Sequence, residues 1–148
     1  MSMLNEMDYP AVGRVLRMSD AGVVFQPLGT TYELQLATSE KYAGATGQRV
    51  SGVIRTSARK VYTVPSGGNF LVPIAGPTRI VQGRIKALDE TRMVVQAGTL
   101  IIVELPKNDD AYDLENGVLA VGALVNATIW PGARIEALSA KGQEVVRA

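Results

Sequence analysis

Short apolar runs separated by turn-forming residues dominate this chain. Val, Ile and Leu recur in brief groups, and Gly, Pro, Asn, Asp and Ser stand between the groups. Few windows repeat with the period of a helix, so the pattern is typical of β-strands. The alternation is clearest over residues 125–130, where Val125, Ala127 and Ile129 occupy every second position. This spacing predicts a strand with one buried face.

The runs predict ten strands in two sets of five. The first set covers residues 11–18, 22–28, 31–37, 48–56 and 59–64. The second set covers residues 80–88, 92–97, 99–105, 122–130 and 133–138. A short extra strand is predicted near 69–74, between the sets. In each set, three strands are followed by a longer polar connection (38–46 and 106–117) and then by two strands.

The two sets match each other in sequence. Val12-Gly-Arg-Val15 corresponds to Gln82-Gly-Arg-Ile85 at an offset of 70 residues, and the offset becomes 69 and then 75 further along. The later matches are Val24 with Val94, Gln26 with Gln96, Gly29 with Gly98, Leu36 with Leu105, Gly47 with Gly122, Val50 with Val125, Ile54 with Ile129, Ala58 with Ala133 and Arg59 with Arg134. Because the matches keep their order, we interpret the chain as a diverged internal duplication. Chance similarity between strands rich in Val and Gly is the alternative.

Three strands, a capping connection and two strands form the strand order of the OB-fold. The sequence therefore predicts an all-β fold of two tandem OB-like five-stranded Greek-key barrels that arose by duplication. The predicted parts are a flexible N-terminus at 1–9, a first barrel at 10–64, an apolar Pro/Gly connector at 65–79, a second barrel at 80–139 and a C-terminal tail at 140–148. Closure of each barrel would remove exposed sheet edges.

The closing strands of both copies resemble a known family. Gly122-Ala-Leu-Val-Asn-Ala-Thr-Ile-Trp-Pro-Gly-Ala-Arg-Ile135 and Gly47-Gln-Arg-Val-Ser-Gly-Val-Ile-Arg-Thr-Ser-Ala-Arg-Lys60 are similar to the corresponding strands of tandem TOBE/molybdate-binding-type modules. The resemblance implies the small-barrel fold and binding of a small oxyanion. The family's opening Ser-Ala-Arg-Asn element is absent from the first strand of either copy, so the resemblance assigns no ligand residues here.

Composition excludes several kinds of site. The 148 residues include neither Cys nor His, which excludes disulfides, thiolate or imidazole metal sites, and Ser-His-Asp or Cys-His catalysis. The sequence contains no apolar run of the length that a membrane helix needs, and its first residues do not resemble a secretory signal. We therefore predict a cytoplasmic, non-enzymatic protein with no cofactor, no metal and no membrane contact.

Positive charge collects in residues 49–92, although the whole chain has a net charge of only +1. This segment alone has a net charge of +6, and the planar fork of donors on Arg suits phosphate groups. We expect most of the candidates on a hairpin between the fourth and fifth strands of the first copy. The candidate ligand-binding residues are Arg55, Ser57, Arg59, Lys60, Tyr62 and Arg84. A solvated surface without a ligand is the alternative.

Aromatic and apolar positions add two further expectations. Phe25 and Tyr32 fall on the second and third strands, where they serve either as stacking platforms for single-stranded nucleic acid or as core. The connector is too apolar for a solvated linker. We therefore expect Phe70, Leu71 and Ile74 to pack between the units or on a partner chain.

These features favour a binding or interaction module that docks to a protein partner or associates with copies of itself. Binding of single-stranded nucleic acid or a phosphate ligand through the basic 49–92 segment is the first alternative. Small-oxyanion binding, which only the family resemblance implies, is the second alternative.

Overall fold

The computed structural model describes residues 4–39 and 41–140, and these residues form an all-β fold. The strands belong to one sheet of twelve strands. The prediction of an all-β protein is therefore confirmed. The predicted C-terminal tail lies outside the described residues, apart from residue 140 at the end of the last strand.

Each predicted run overlaps a strand of the structure, including the short one near 69–74. The strands are β1 (Ala11–Met18), β2 (Gly22–Pro27), β3 (Glu33–Ala37), β4 (Arg49–Thr63), β5 (Phe70–Val72), β6 (Ala75–Gly76), β7 (Ile80–Leu88), β8 (Arg92–Gln96), β9 (Leu100–Glu104), β10 (Tyr112–Asp113), β11 (Leu124–Ile129) and β12 (Arg134–Ala140). Two short 3-10 helices, Glu6–Asp8 and Asp109–Ala111, precede β1 and β10.

One prediction about the strands is wrong. The expected hairpin between the fourth and fifth strands of the first copy does not exist, because β4 continues through this position without a turn. Residues 55–60 contain no Gly, Pro, Asn or Asp that would stop a strand. At the matched place in the second copy, Pro131 and Gly132 separate β11 from β12, and Gly132 has a φ of +108°. The residues expected on the hairpin lie instead along one continuous strand: Arg55, Ser57, Arg59 and Lys60.

The two ends of β4 have different neighbours. Its first part pairs antiparallel with β1 and β12, with Gly52 opposite Ala11 and Ile54 opposite Ile135. Its second part pairs parallel with β9 and antiparallel with β11. In the same way, β12 lies beside β3 and β4 rather than beside β9. Strands from the two halves of the chain are therefore hydrogen-bonded to each other.

Two circuits of strand pairing result. Hydrogen-bonded neighbours lead from β1 through β2, β3, β12 and the first part of β4 back to β1. They also lead from β7 through β8, β9, the second part of β4 and β11 back to β7. Each circuit contains four strands from one half of the chain and one strand from the other half.

Several registers are repeated between the circuits. Val15 faces Phe25 in the β1–β2 pair, and Ile85 faces Val95 in the β7–β8 pair, 70 residues later. Both pairs then change register at the next residue, through a bulge in the first strand of the pair. The repetition is incomplete in the next strand pair. Gly22 faces Ala37 in the β2–β3 pair, so the sequence offsets would place residue 106 opposite Arg92 in the β8–β9 pair. Arg92 instead faces Glu104, two residues earlier.

Matched glycines occupy matched close approaches between strands. A Cβ atom built on Gly13 would lie 2.1 Å from the carbonyl oxygen of Gln26, and one on Gly83 would lie 1.9 Å from the carbonyl oxygen of Gln96. Both distances are far below van der Waals contact, so neither position accepts a side chain without a backbone shift. The repeated Gly-Arg sequence therefore accompanies the same contact in both circuits.

The turn before the fourth strand is repeated as well. The Gly47 N–H donates to the Val15 carbonyl at 2.8 Å, and the Gly122 N–H donates to the Ile85 carbonyl at the same distance of 2.8 Å. These glycines have φ values of +79° and +94°, which residues with a side chain rarely adopt. The match of Gly47 with Gly122 thus has a physical cause in the backbone.

Apolar side chains from both circuits form one main core. Its largest fully buried members include Phe25, Leu34, Ile85 and Met93. The burial of Phe25 contradicts its alternative role as an exposed stacking platform. Tyr32 is half-buried, and its hydroxyl accepts a hydrogen bond from the Leu71 N–H at 3.1 Å.

Candidate binding surface around Trp130

Three of the predicted site residues lie together on β4. Arg55, Ser57 and Arg59 project from one face of the strand and alternate with buried Thr56 and Ala58. This arrangement follows from the period of two in a β-strand. It brings the three side chains to the place where β4 passes from the first circuit of strands to the second.

Lys60 and Tyr62 line a separate groove. The pairing of β11 with β4 changes register beside Lys60, beyond which β10 runs parallel to β4. The groove has a volume of about 360 Å³, and its acidic lining residues are Asp110, Asp113 and Glu115. These carboxylates oppose the positive charge of Lys60, so this groove offers little attraction to phosphate.

Arg84 lies apart from the other candidates. It projects from β7 and donates from Nη1 to the Gly122 carbonyl at 2.9 Å. This bond fixes the turn that precedes β11. The structure therefore does not bring Arg84 together with the residues on β4.

Trp130, directly after β11, dominates the surface beside these β4 residues. Its side chain is 53% exposed, and its backbone N–H donates to the Ser57 carbonyl at 2.9 Å. The guanidinium carbon of Arg59 lies 5.9 Å from the centre of the indole ring, within the range of a cation–π interaction. The ring is thus held by β4 while much of it stays open to solvent.

A cleft lies on each side of Trp130. The first, of about 260 Å³, is lined by Arg55, Arg92 and Arg134 together with Glu6. The second, of about 380 Å³, is lined by Arg59, Leu105, Pro106 and Lys107. Ser57 and Glu104 border both clefts. We call the following group the Trp130 surface: Ser57, Arg59, Leu105, Lys107, Trp130 and Arg134.

The cations of the Trp130 surface have no carboxylate partners in the described residues, whereas Arg55 and Arg92 of the first cleft do. Within residues 4–39 and 41–140, Arg59, Lys107 and Arg134 form no ion pair. In contrast, Arg55 pairs with Glu136 at 2.9 Å and also with Glu6. Of the cations in the 49–92 segment, only Arg55 and Arg92 form ion pairs within the described residues.

Arg92 is held by two carboxylates. Glu6 bonds to its Nη1 and Asp89 to its Nη2, and these bonds raise the pKa of Arg92. The Thr91 N–H donates to Asp89 at 2.9 Å, and this bond, with those from Arg92, lowers the pKa of Asp89. The β7–β8 turn thus carries a fixed negative charge that orients Arg92 toward the cleft.

Sequence reasoning missed Trp130 and Glu6. The sequence predicts Trp130 only as the last residue of the strand at 122–130. The sequence gives no signal that connects Glu6 with Arg55 or Arg92. Its segment is predicted to be a flexible N-terminus. Leu4 and Tyr9 of that segment pack against Val53, Val94 and Ile102.

The connector residues have unequal environments. Leu71 is buried in the main core, whereas Phe70 is 36% and Ile74 is 63% exposed. β5, which carries Phe70 and Leu71, pairs with β7, and β6 pairs with β3. The connector therefore contacts strands of both circuits and leaves two apolar side chains at the surface.

Comparison with known proteins identifies no relative. No family model, no curated protein and no solved structure matches the chain. Within the described ranges, no helix has the length and apolar character needed to cross a bilayer. The described residues also contain no cluster of three or more acidic side chains arranged to hold a metal ion.

Proposed function

We propose that the chain is a tandem pair of OB-like barrels that arose by duplication and exchanged their fifth strands. The second part of β4 completes the unit of β7, β8, β9 and β11, and β12 completes the unit of β1, β2, β3 and the first part of β4. The shared β1–β2 and β7–β8 registers and the matched glycine contacts support this proposal. The resemblance of the closing strands to TOBE-type modules belongs to the same proposal and concerns the fold only.

We propose further that the protein is a non-enzymatic binding module that docks a protein partner through the Trp130 surface. The observation that carries this proposal is the half-exposed indole of Trp130, held against Arg59 between two clefts. Trp and Arg supply most of the binding energy in many protein interfaces. A partner that covered the ring would bury a large aromatic side chain whose N–H could also bond to it.

The distribution of charge favours a protein over a nucleic acid. Glu104 borders both clefts, and Glu6 and Glu136 neutralise Arg55 in the first one. Nucleic-acid surfaces depend on an excess of cations that displaces condensed counterions. A mixed surface with an aromatic centre is instead typical of the contact region between proteins.

Binding of single-stranded nucleic acid is the second candidate, and one observation favours it. Trp130 lies among three cations without ion pairs in the described residues, namely Arg59, Lys107 and Arg134. Bases stack on such rings with little sequence preference. This candidate predicts affinity for an oligothymidine that falls steeply with salt and is lost in Trp130→Ala.

The docking proposal is tested with immobilised protein and quantitative mass spectrometry of what it captures. A partner of the Trp130 surface should be retained by the wild type and lost by Trp130→Ala/Arg59→Ala. Phe70→Ala/Ile74→Ala is the matched control, because it removes two exposed apolar side chains of the connector, which lie outside the Trp130 surface. The captured partner is then purified, and its Kd is expected to weaken at least tenfold, by about 1.4 kcal/mol, in the Trp130 variant.

Equal affinity of the purified partner for the wild type and the Trp130 variant would remove the surface from the proposal. Loss of binding in the Phe70 variant alone would transfer the interface to the connector. Binding of oligothymidine with a steep salt dependence, and no protein partner, would favour the second candidate.

A further inference from the structure

The Glu6 carboxylate occupies the first cleft beside Trp130 as a ligand would. One of its oxygens accepts from Nε of Arg55 on β4, and the other accepts from Nη1 of Arg92 on β8. The Glu6 side chain is only 12% exposed. Two arginines from different strands thus grip one carboxylate, and charge-assisted bonds of this kind are the strongest hydrogen bonds in proteins.

The segment that carries Glu6 has few other attachments. Its 3-10 helix, Glu6–Asp8, contains no buried residue. The Leu4 carbonyl accepts from Nη2 of Arg92 at 2.8 Å, and Leu4 and Tyr9 are only partly buried. Glu6 is therefore the main polar anchor of a peptide segment laid over the cleft.

One hydrogen-bond donor of the cleft makes no bond to Glu6 or to any other described residue. Nε of Arg92 is buried and has no hydrogen-bond partner in the described residues. Arg92 lines the cleft. Buried donors without a partner are uncommon in native proteins, and a ligand that bonds to this donor would satisfy it.

The corresponding cleft beside β2 and β3 is not lined by a pair of arginines around one carboxylate. It has a volume of about 410 Å³ and is lined by Gly22, Gln35 and Gly132, which match Arg92, Glu104 and Ser57 in sequence. Its arginine, Arg17, pairs with Glu33 at 2.9 Å. The arginine pair is thus specific to one of the two clefts.

We propose that the cleft of Arg55 and Arg92 binds a glutamate-bearing peptide segment, and that residues 4–9 occupy it as an internal competitor. An incoming segment places its carboxylate between the two arginines and displaces Glu6. The internal segment indicates what the external ligand should resemble, namely an acidic side chain flanked by apolar or amide residues. The ligand carboxylate is held by Arg55 and Arg92, which do not belong to the Trp130 surface, although Ser57, Trp130 and Arg134 of that surface border the same cleft.

The internal segment lowers the apparent affinity for an external segment in proportion to the fraction of time that the cleft is open. A tethered segment has an effective concentration on the order of millimolar, well above that of a typical partner. If Glu6 occupies the cleft for roughly nine-tenths of the time, its removal tightens external binding about tenfold.

The test uses the full chain and the blocked hexapeptide Leu-Asn-Glu-Met-Asp-Tyr, with a second peptide carrying Gln in place of Glu. Two-dimensional NMR follows the Nε–H signals of Arg55 and Arg92 during titration. Glu6→Gln protein is expected to bind the Glu peptide at least tenfold more tightly than wild type does. It is also expected to bind the Gln peptide at least tenfold more weakly than the Glu peptide.

Glu6→Lys is a second variant, since its charge repels the two arginines and keeps the segment out of the cleft. Glu33→Gln is the matched control, because it removes a carboxylate from Arg17 elsewhere and should behave as wild type. Equal binding of the two peptides, or no binding by either Glu6 variant, would overturn the proposal. Lys107→Ala in the Glu6→Gln background should retain peptide binding, because Lys107 belongs to the Trp130 surface and lines only the second cleft, so this variant separates the two sites.

Discussion

Gly13 and Gly83 set the spacing of the two bulged strand pairs. The carbonyl oxygens of Gln26 and Gln96 occupy the space where their Cβ atoms would lie. The sequence match between these glycines could be recognised from the chain alone, but its cause could not. A glycine in a strand indicates a close approach without saying which atom approaches.

Substitution of either glycine should therefore have the same effect. Gly13→Ala and Gly83→Ala are each expected to destabilise the protein by about 2–3 kcal/mol or more, because the added methyl group overlaps a backbone oxygen. Denaturant unfolding followed by circular dichroism measures the change. Gly68→Ala is the control, since a Cβ there meets nothing within 4 Å and no positive φ opposes it. A loss at position 13 without a comparable loss at 83 would contradict the equivalence of the two sites.

β4 is the element that decides the architecture. The pattern of apolar residues predicted strands at 48–56 and 59–64, and both predicted runs overlap β4, in which Val50, Ile54 and Val61 are buried. It did not predict the strand's neighbours, because alternation fixes the faces of a strand and leaves its partners open. The absence of turn residues in 55–60, against Pro131 and Gly132 in the other copy, was the available signal that β4 does not turn.

Continuity of β4 gives a prediction at Ser57. This residue faces Glu104 in the β4–β9 pair, and its carbonyl accepts from the Trp130 N–H. Ser57→Pro removes an N–H and fixes φ in the middle of a paired strand, so we expect a loss of roughly 1–3 kcal/mol in the free energy of unfolding. Ser57→Thr keeps the N–H and should change stability by less than about 0.5 kcal/mol.

Thermal and denaturant unfolding of the two Ser57 variants measure this difference. If the proline variant were as stable as the threonine variant, β4 would have to turn at this position, as the predicted hairpin required. That result would contradict the continuous strand.

At the scale of the whole molecule, the candidate site follows from strand pairing between the two halves of the chain. Trp130 lies beside Arg59 because β11, from the second half, pairs with the second part of β4, from the first half. The cleft of Arg55 and Arg92 likewise joins residues from both halves of the chain. Sequence analysis identified Arg55 and Arg59 as candidates, but their neighbours in the structure are distant in sequence and depend on which strands pair with each other.

The most direct test of this account is a disulfide between β3 and β12. Ala37 and Arg134 are paired residues on these strands, and both side chains are exposed. Neighbouring strands lie about 4.8 Å apart, within the range that a disulfide spans. The chain contains no Cys, so Ala37→Cys/Arg134→Cys introduces the only two thiols.

Oxidation of this double variant, followed by non-reducing mass analysis and thiol titration, decides between the two arrangements. The exchanged fold predicts a monomeric product with one internal disulfide, whereas each single-cysteine variant keeps its free thiol. If the double variant kept both thiols free under the same oxidation, β12 would not lie beside β3, and the exchange of strands between the two units would be wrong.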